Sequence, residues 1–423
     1  MIRTAFMTRL RALPLGLLSV VVLVALSALL PHASLHDAAT FEPLTEVALR
    51  RPTSYLLMAP VSNSLDMLTL LSLRQHIALL ATVIVCYAVW WWVAGRAMLA
   101  AVSPGRRALR EAAQIGVGSV VLLAIYAGAM IMPRPMAALE AGTDIIVADF
   151  HAHTRFSHDG RPDWTPEDVR AWHRNAGFDV AYISDHRTFE GARDAWANNP
   201  TPAGSGTELL PAIEVVWRGE HVNVLDADRM YRGLLTETLR DVDDGALKLA
   251  SSLPGSEPVL IETLPGDLSK VVAAAGPGTA GVRAIEVIDG APKGLGQTRR
   301  ERARIVHLAD STNLALVAGS DHHGWGRTAA GWTLIYLPQW RTASPEQLSS
   351  AITKIIRGGG RASTRVVERY VADTESGVAL PFTVPLVAWG MLRSLSGDER
   401  IVWMAWIVAI YLLWRLRRAR NRA

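Results

Sequence analysis

Cysteine is nearly absent from this chain. Cys86 is the only one, and it sits inside an apolar run, so no disulfide framework forms within one chain. That neither favours nor excludes an oxidising compartment. Internal repeats and low-complexity tracts are missing too. The long apolar runs hold no convincing intramembrane acid or base, which a coupled carrier would usually need, so a transporter reading is weak.

What is present is 423 residues, half of them hydrophobic and unevenly spread. Leu13 to Leu30 is uncharged over about 18 residues, near the lower limit for a helix crossing a bilayer. Further runs cover Ile77 to Gly95 and Ala112 to Met132. Ile401 to Trp414 is about 14 residues long and spans only with bilayer thinning and snorkelling of Arg400 and Arg415. Leu380 to Leu392 contains Pro381 and Pro385 and is expected to be interfacial or buried. The basic residues Arg3, Arg9 and Arg11 before the first run also fit a signal peptide. Its length and the spans downstream favour a retained helix.

The basic pI invites a nucleic-acid partner, and the distribution of charge argues against one. Between Asp144 and Ser376 there are 25 Lys+Arg and 31 Asp+Glu, a net acidity of 6. The other 18 basic residues (43 less 25) are all arginine and lie in or beside the apolar runs. Membrane orientation explains them better than a polyanion does. With Arg3, Arg9 and Arg11, then Arg96, Arg106, Arg107 and Arg110, then Arg415, Arg417, Arg418, Arg420 and Arg422 all cytoplasmic, four spans result. The region from Asp144 onward is then extracytoplasmic, in a membrane of the bacterial inner-membrane type. The expected organisation is a membrane region with about three helices over 1–143, a soluble domain over 144–371, and a C-terminal membrane segment with an Arg-rich tail over 372–423.

From Asp144 to about Val371, short apolar runs alternate with amphipathic segments. Candidate strands are Ile145–Phe150, Val180–Ser184, Leu209–Val216, Val222–Leu225, Val259–Glu262, Ala284–Ile288, Leu314–Ala318 and Trp332–Leu337. Thr165-Pro166-Glu167-Asp168 opens a helix that Gly177 closes, and Ser344-Pro345-Glu346-Gln347 opens another that runs to Gly358. Gly-rich 357–361 follows this second helix, so it is a cap and turn rather than a phosphate loop. Apolar strands alternating with helices predict an α/β fold with a parallel sheet, and about 230 residues suit a TIM-like β/α barrel.

Histidines mark the strand ends. Of 12, seven fall in four clusters: His151, His153 and His158; His186; His221; His322 and His323. Each cluster includes or borders a carboxylate, namely Asp149, Asp159, Asp185, Glu214 or Asp321. The period of two along a strand points His151 and His153 to one side, where they can share a cation. Mixed imidazole and carboxylate suits zinc, manganese or iron rather than calcium. His173 and His307, within helical segments, and His32, His36 and His76, near membrane segments, fit local roles.

These residues resemble a family. His151-Ala152-His153-Thr154, Ser157-His158-Asp159-Gly160, Ile183-Ser184-Asp185-His186, Ala212-Ile213-Glu214 and Gly319-Ser320-Asp321-His322-His323 are similar, in order, to the motifs of the PHP (polymerase and histidinol phosphatase) superfamily. The resemblance covers about Asp144 to Val371. It implies a distorted (β/α)7 barrel with two or three divalent metals and phosphoester hydrolysis. Position by position, it implies that His151, His153, Glu214 and Asp321 hold one metal, and that Glu214 bridges to a second shared with His221. A third would lie on His158, His186 and His323, with Asp159 as an alternative to His158. Asp185 belongs to the same set, read with Asp149 as a carboxylate that orients the histidines. One departure is Leu264-Pro265, where the family usually has a His-Pro pair. Either Glu262 substitutes, or water completes the second metal, or fewer metals bind.

The implied chemistry is attack on phosphorus by water deprotonated between two cations. His322 could protonate the leaving oxygen, and Arg218 and Arg327 could clamp a phosphate. The expected substrate is a phosphorylated small molecule or lipid, with no nucleic acid; the oligomeric state is not fixed. Two alternatives stand beside this. Hydrolysis of C–N bonds commonly uses a carbamylated lysine, and no lysine stands at these strand ends. A non-catalytic metal-binding or sensory domain coupled to the membrane helices is the other.

Overall fold

The computed structural model describes residues 2–95, 103–186, 188–217, 219–225, 259–275, 281–326, 328–375 and 377–421. They form two compact units: one of residues 1–34, 52–135 and 370–423, the other of residues 35–51 and 136–369.

The first unit is helical. Helices Ile2–Leu29, Leu73–Trp90, Pro104–Met130 and Gly397–Arg420 cover the expected apolar runs. Among the described residues, Leu73–Val93 and Pro104–Met130 are long and apolar enough to cross a membrane. Leu380–Phe382 forms one tight turn and Thr383–Ser394 a helix of 12 residues. At 1.5 Å per residue that helix is about 18 Å long, too short for a hydrocarbon core of about 30 Å. Inside the unit, Asn63 donates to Glu399 (2.7 Å) and to the Tyr55 hydroxyl (3.2 Å), and Tyr55 donates to Asp66 (2.7 Å). Trp403 completes the network by donating to the Asn63 carbonyl at 3.0 Å.

The second unit is mixed α/β, built on one curled ten-stranded sheet. In chain order its strands are β1 (Leu35–Asp37), β2 (Ala48–Arg50), β3 (Ala138–Glu140), β4 (Ile145–Ala152), β5 (Val180–Ile183), β6 (Glu208–Trp217), β7 (Glu220–Leu225), β8 (Val259–Glu262), β9 (Val282–Asp289), β10 (Ala315–Gly319), β11 (Gly331–Tyr336) and β12 (Arg365–Arg369). The large sheet runs β1-β12-β11-β4-β5-β6-β7-β8-β9-β10, and β2 and β3 pair apart from it. Residues 35–51, upstream of the expected domain start at 144, thus supply β1 and β2.

The expectation of a parallel sheet holds only in part. β4-β5-β6 and β8-β9-β10 are parallel, but β7 is antiparallel to both β6 and β8. Only positions 218 and 219 separate β6 from β7, and Gly219 has φ 78°. A parallel crossover needs a dozen or more residues, so a two-residue link can only make a hairpin. β11, β12 and β1 are likewise antiparallel to their neighbours.

Helices α1 (Pro166–Ala176), α2 (Glu190–Ala197), α3 (Arg299–Thr312) and α4 (Pro345–Gly359) belong to this unit. Thr165, Thr298 and Ser344 each close a capping box with the residue three positions on, and Gly177 ends α1 in the left-handed conformation. Leu348, Ile352 and Ile356, at i, i+4, i+8 of α4, pack in one core cluster with Ile146, Phe150, Tyr182 and Val317. Ile305 and Ala309 of α3 join a second cluster with Ile213, Val224, Ile285 and Leu316.

The curl brings the far strand back to the first motif. Just beyond β10, Asp321 N donates to His151 O (2.8 Å), and His153 N donates to His322 O (3.2 Å). Ala152 and His322 pair in parallel across this join. Residues 170 positions apart in sequence therefore share one strand end.

Candidate metal centre

β4 ends on His151 and leads to His153, and the join just described places Asp321 opposite them. The ring nitrogens His151 Nε2 and His153 Nε2 face each other at 3.0 Å. Glu214, inside β6, puts Oε2 at 3.1 Å from His151 Nε2 and 3.3 Å from His153 Nε2. Asp321 Oδ1 lies 3.3 and 3.1 Å from the same two nitrogens. The other Glu214 oxygen, Oε1, is 2.5 Å from His221 Nδ1, so this carboxylate joins two groups of donors.

Among the described residues three donor sets converge: His151, His153 and Asp321; His186, Glu214 and His221; His153, Asp159, His186 and His323. His186 turns Nε2 to Asp159 Oδ2 (3.3 Å) and Nδ1 to Glu214 Oε2 (3.4 Å). His323 Nε2 is 3.2 Å from Asp159 Oδ2 yet makes no hydrogen bond. Two imidazole nitrogens facing each other at hydrogen-bond distance, amid carboxylates and a buried ring nitrogen lacking a hydrogen bond, form a donor set that would suit a shared cation. The donor set suits zinc, manganese or iron, so the residues fit the implied metals.

Several expected residues stand elsewhere. The His158 side chain is 76% exposed, and Asp159 takes the inward place beside His186 and His323. Asp185 is not among the donors, because its two oxygens accept from Thr154 N and Thr154 Oγ1, each at 2.6 Å. His322 is no free proton donor to the cavity. Gly324 N donates to its Nδ1 (3.2 Å), its Nε2 lies 3.1 Å from Gly326 O, and the ring packs on Trp164 and Trp172. Glu262 does not replace the missing histidine; it is buried outside the donor sets, with its pKa pushed up to about 8 by burial and by Glu220 and Glu286. Leu264 lines the cavity and packs on the second core cluster. Arg218 and Arg327 lie outside the described residues.

The residue that motif reading passed over is Glu286. Fully buried in β9, it sets Oε1 3.0 Å from His151 Nδ1 and accepts from Leu264 N at 3.1 Å. Such a contact fixes which ring nitrogen of His151 faces the donor set. A lone glutamate in an apolar strand was the available signal, since a buried carboxylate needs a partner. Asp149 orients a histidine as expected, but that histidine is His173 (2.7 Å). Its other oxygen accepts from His151 N and Ser320 N, tying both donor segments together. Gly319 is required by crowding, because a Cβ there would lie 2.3 Å from Glu286 Oε1 and 2.6 Å from His151 Cβ. Asp321 itself has φ 45°, a left-handed backbone uncommon for a residue with a side chain.

Electrostatics follow this crowding. Burial opposes a proton on His151, but Glu214, Glu286 and Asp321 outweigh it and hold its pKa well above the ordinary value. His153 is likewise opposed by burial and lifted to about 9 by hydrogen bonds to Asp321 and Glu214. Burial works against ionised Glu214 and Asp321, and the neighbouring histidines still keep both below the usual carboxylate range. Asp159 falls to about 2, with Ser157 and the rings of His323 and His186 overcoming its partial burial. His186 drops to about 4 by burial, Glu214 only partly offsetting it.

No family model and no curated protein matches this chain. Solved structures similar to it include a two-domain protein from Bacteroides vulgatus containing a predicted PHP-like metal-dependent phosphoesterase. That likeness has 14% identity and a TM-score of 0.33, over 56% of this chain and 70% of that one. The lesion-specific endonuclease PfuEndoQ from Pyrococcus furiosus is similar at 14% identity and TM-score 0.37, over 51% of this chain and 56% of that one. An endonuclease Q complex with a 27-mer duplex carrying an abasic lesion at its active site has 13% identity and TM-score 0.36, over 51% and 57%. The expectation that nucleic acid is excluded is withdrawn, since these last two similar structures are endonucleases, one of them holding a duplex substrate. Net acidity is a poor guide at such a cluster because the count would omit the charge of any cations it held.

Proposed function

We propose that this chain is a membrane-anchored hydrolase of phosphoester bonds, dependent on two or three divalent cations. The observation that carries this is the convergence of His151 Nε2, His153 Nε2, Glu214 Oε2 and Asp321 Oδ1 within 3.0 to 3.3 Å of one another in the pairs measured. The ordered motifs support it. The strands β4 to β10 are best read as the seven staves of a distorted (β/α)7 barrel, within the unit of residues 35–51 and 136–369. The helices Leu73–Val93 and Pro104–Met130 support an anchor, and the arginine pattern supports an extracytoplasmic placement.

In this reading His151, His153, Glu214 and Asp321 hold one cation. Glu214 Oε1, His221 and His186 serve a second, and Asp159, His186 and His323 are available to a third. Cations bound there acidify water and neutralise charge on a phosphoryl group. The chain's own contribution is order. Glu286 accepts a hydrogen bond from the Nδ1–H of His151, which leaves Nε2 to face the donor set; Asp149 holds the backbones of His151 and Ser320 in register. The capping of His322 by Gly324 and Gly326 leaves it a structural role beside the cavity.

The test uses the full chain in detergent with added manganese or zinc, assayed on an aryl phosphate monoester, a diester and a short oligonucleotide. Metal-dependent turnover of at least one ester is expected, lost by a factor on the order of a hundred or more in His151→Ala. Tight metal content with no turnover of any ester would overturn the proposal in favour of a metal sensor.

A further inference from the structure

Donor-set residues line a much larger cavity, about 800 Å³ in volume. Cavities of that size take drug-sized organic molecules, so the space exceeds what a phosphate group alone needs. The segment Pro265–Ser269 and residues between Ala291 and Arg304 also line it.

Further acids line the cavity, and each of them has a partner. Glu220 accepts from Gly266 N (3.0 Å) and pairs with Lys270 (3.0 Å). Asp267 accepts from Ser269, Glu301 from Thr298, and Asp289 from Ala291 N. Two exposed cations in the same lining, Lys293 and Arg304, have no hydrogen bond or ion pair among the described residues.

Both side chains are exposed, and each stands next to a buried residue. The turn that follows Lys293 is pressed onto the end of β9: Gly294 is buried, and a Cβ on it would lie 2.5 Å from Asp289 Cβ. Arg304 stands on α3 one turn beyond the capping-box Glu301, and Ile305 beside it is in the core. Glu301, Arg304 and Ile305 share the helix face that lines the cavity. Two cations without a protein partner among the described residues, lining the same cavity as the metal-type donors, suit an anionic ligand. An arginine fork matches phosphate or carboxylate in two parallel hydrogen bonds, and a lysine adds a point charge.

We propose that Lys293 and Arg304 bind a second anionic group, a phosphate or carboxylate, carried on the alcohol portion of the phosphoester. This rests on reading the donor sets as the hydrolytic centre. The preferred substrate is then a monoester with a remote negative charge, rather than a neutral alkyl or aryl phosphate.

Binding separates this from hydrolysis itself. Alkane-α,ω-bisphosphonates of two to six carbons and the matching alkylphosphonates resist cleavage, and calorimetry with the manganese-loaded full chain in detergent measures their affinities. One bisphosphonate length is expected to bind about tenfold or more tighter than its monophosphonate, the worth of one charged hydrogen bond. That preference should shrink about tenfold in Lys293→Ala and in Arg304→Ala, and partly return in Arg304→Lys. Carboxyalkylphosphonates of the winning length tell whether a carboxylate serves as well as phosphate. Equal affinity for bis- and monophosphonates at every length, or a preference that survives both alanine variants, would overturn the inference. A preference lost in the variants, with no ester turned over by the wild type, would keep the anion site and sink the hydrolase.

Discussion

Behind His151 sits Glu286, and replacing it measures what a buried carboxylate contributes to a metal site it need not touch. Glu286→Gln keeps the shape and can still face His151 Nδ1, but it removes the charge that helps lift the His151 pKa. Manganese affinity, read by competition with a chromophoric chelator, should fall by about 10- to 100-fold. An unchanged affinity would mean that Glu286 only fills space. At this scale sequence legibility was uneven. Strand period singles out His151 and His153, whereas Glu214 and Asp321 join them as one set only through the resemblance of the ordered motifs. His158 and Asp159 were not separable, since adjacent residues leave the same turn and only its folded geometry sends one outward. His322 looked free because no pattern in the sequence shows that two backbone groups and two tryptophans enclose it.

Among the elements, β6 carries a cost at its opposite end. Glu208 begins the strand, is 0% exposed, and neither carboxylate oxygen has a hydrogen-bond partner. Burial pushes its pKa up to about 8, Arg170 opposing and Glu346 adding to the rise. An acid whose folded pKa is raised binds its proton more tightly folded than unfolded. Stability is therefore full below about pH 4.5, falls as pH climbs, and levels off above about 8. The loss across that window is on the order of 3–5 kcal/mol. Thermal unfolding of wild type and Glu208→Gln at pH 5, 6.5, 8 and 9 tests this. The variant should gain on the wild type steadily toward pH 8, and parallel curves would refute the assignment. Strands and capped helices were legible here, because apolar period and capping boxes are local. The direction of β7 was not, although the short link at 218 and 219 already forced a hairpin. Pairing of β1 with β12 spans more than 300 residues, which no local pattern encodes.

Taken whole, the molecule concentrates negative charge where its net count gave no hint of the compensation. Without metal, protons on His151 and His153 balance Glu214, Asp321 and Asp159, and His153 keeps its proton up to about pH 9. Cations entering the site must displace those protons, because only the unprotonated nitrogen can ligate. Metal affinity is thus expected to rise with pH from neutrality to about 9, and binding at pH 7 should release about one to two protons. Calorimetric titration of the full chain with manganese in buffers of different ionisation enthalpy reads that number directly. Release of less than about half a proton would mean that the histidines are already neutral and the charge balance drawn here is wrong. The same exchange couples metal to folding, since the donors come from β4, β6 and the segments after β5 and β10, and meet only in the folded unit. Free metal at about a hundred times its dissociation constant should add about 2.7 kcal/mol, seen as a higher unfolding temperature that chelator reverses. In His151→Ala, with one donor gone, that metal-dependent rise should shrink along with the proton release.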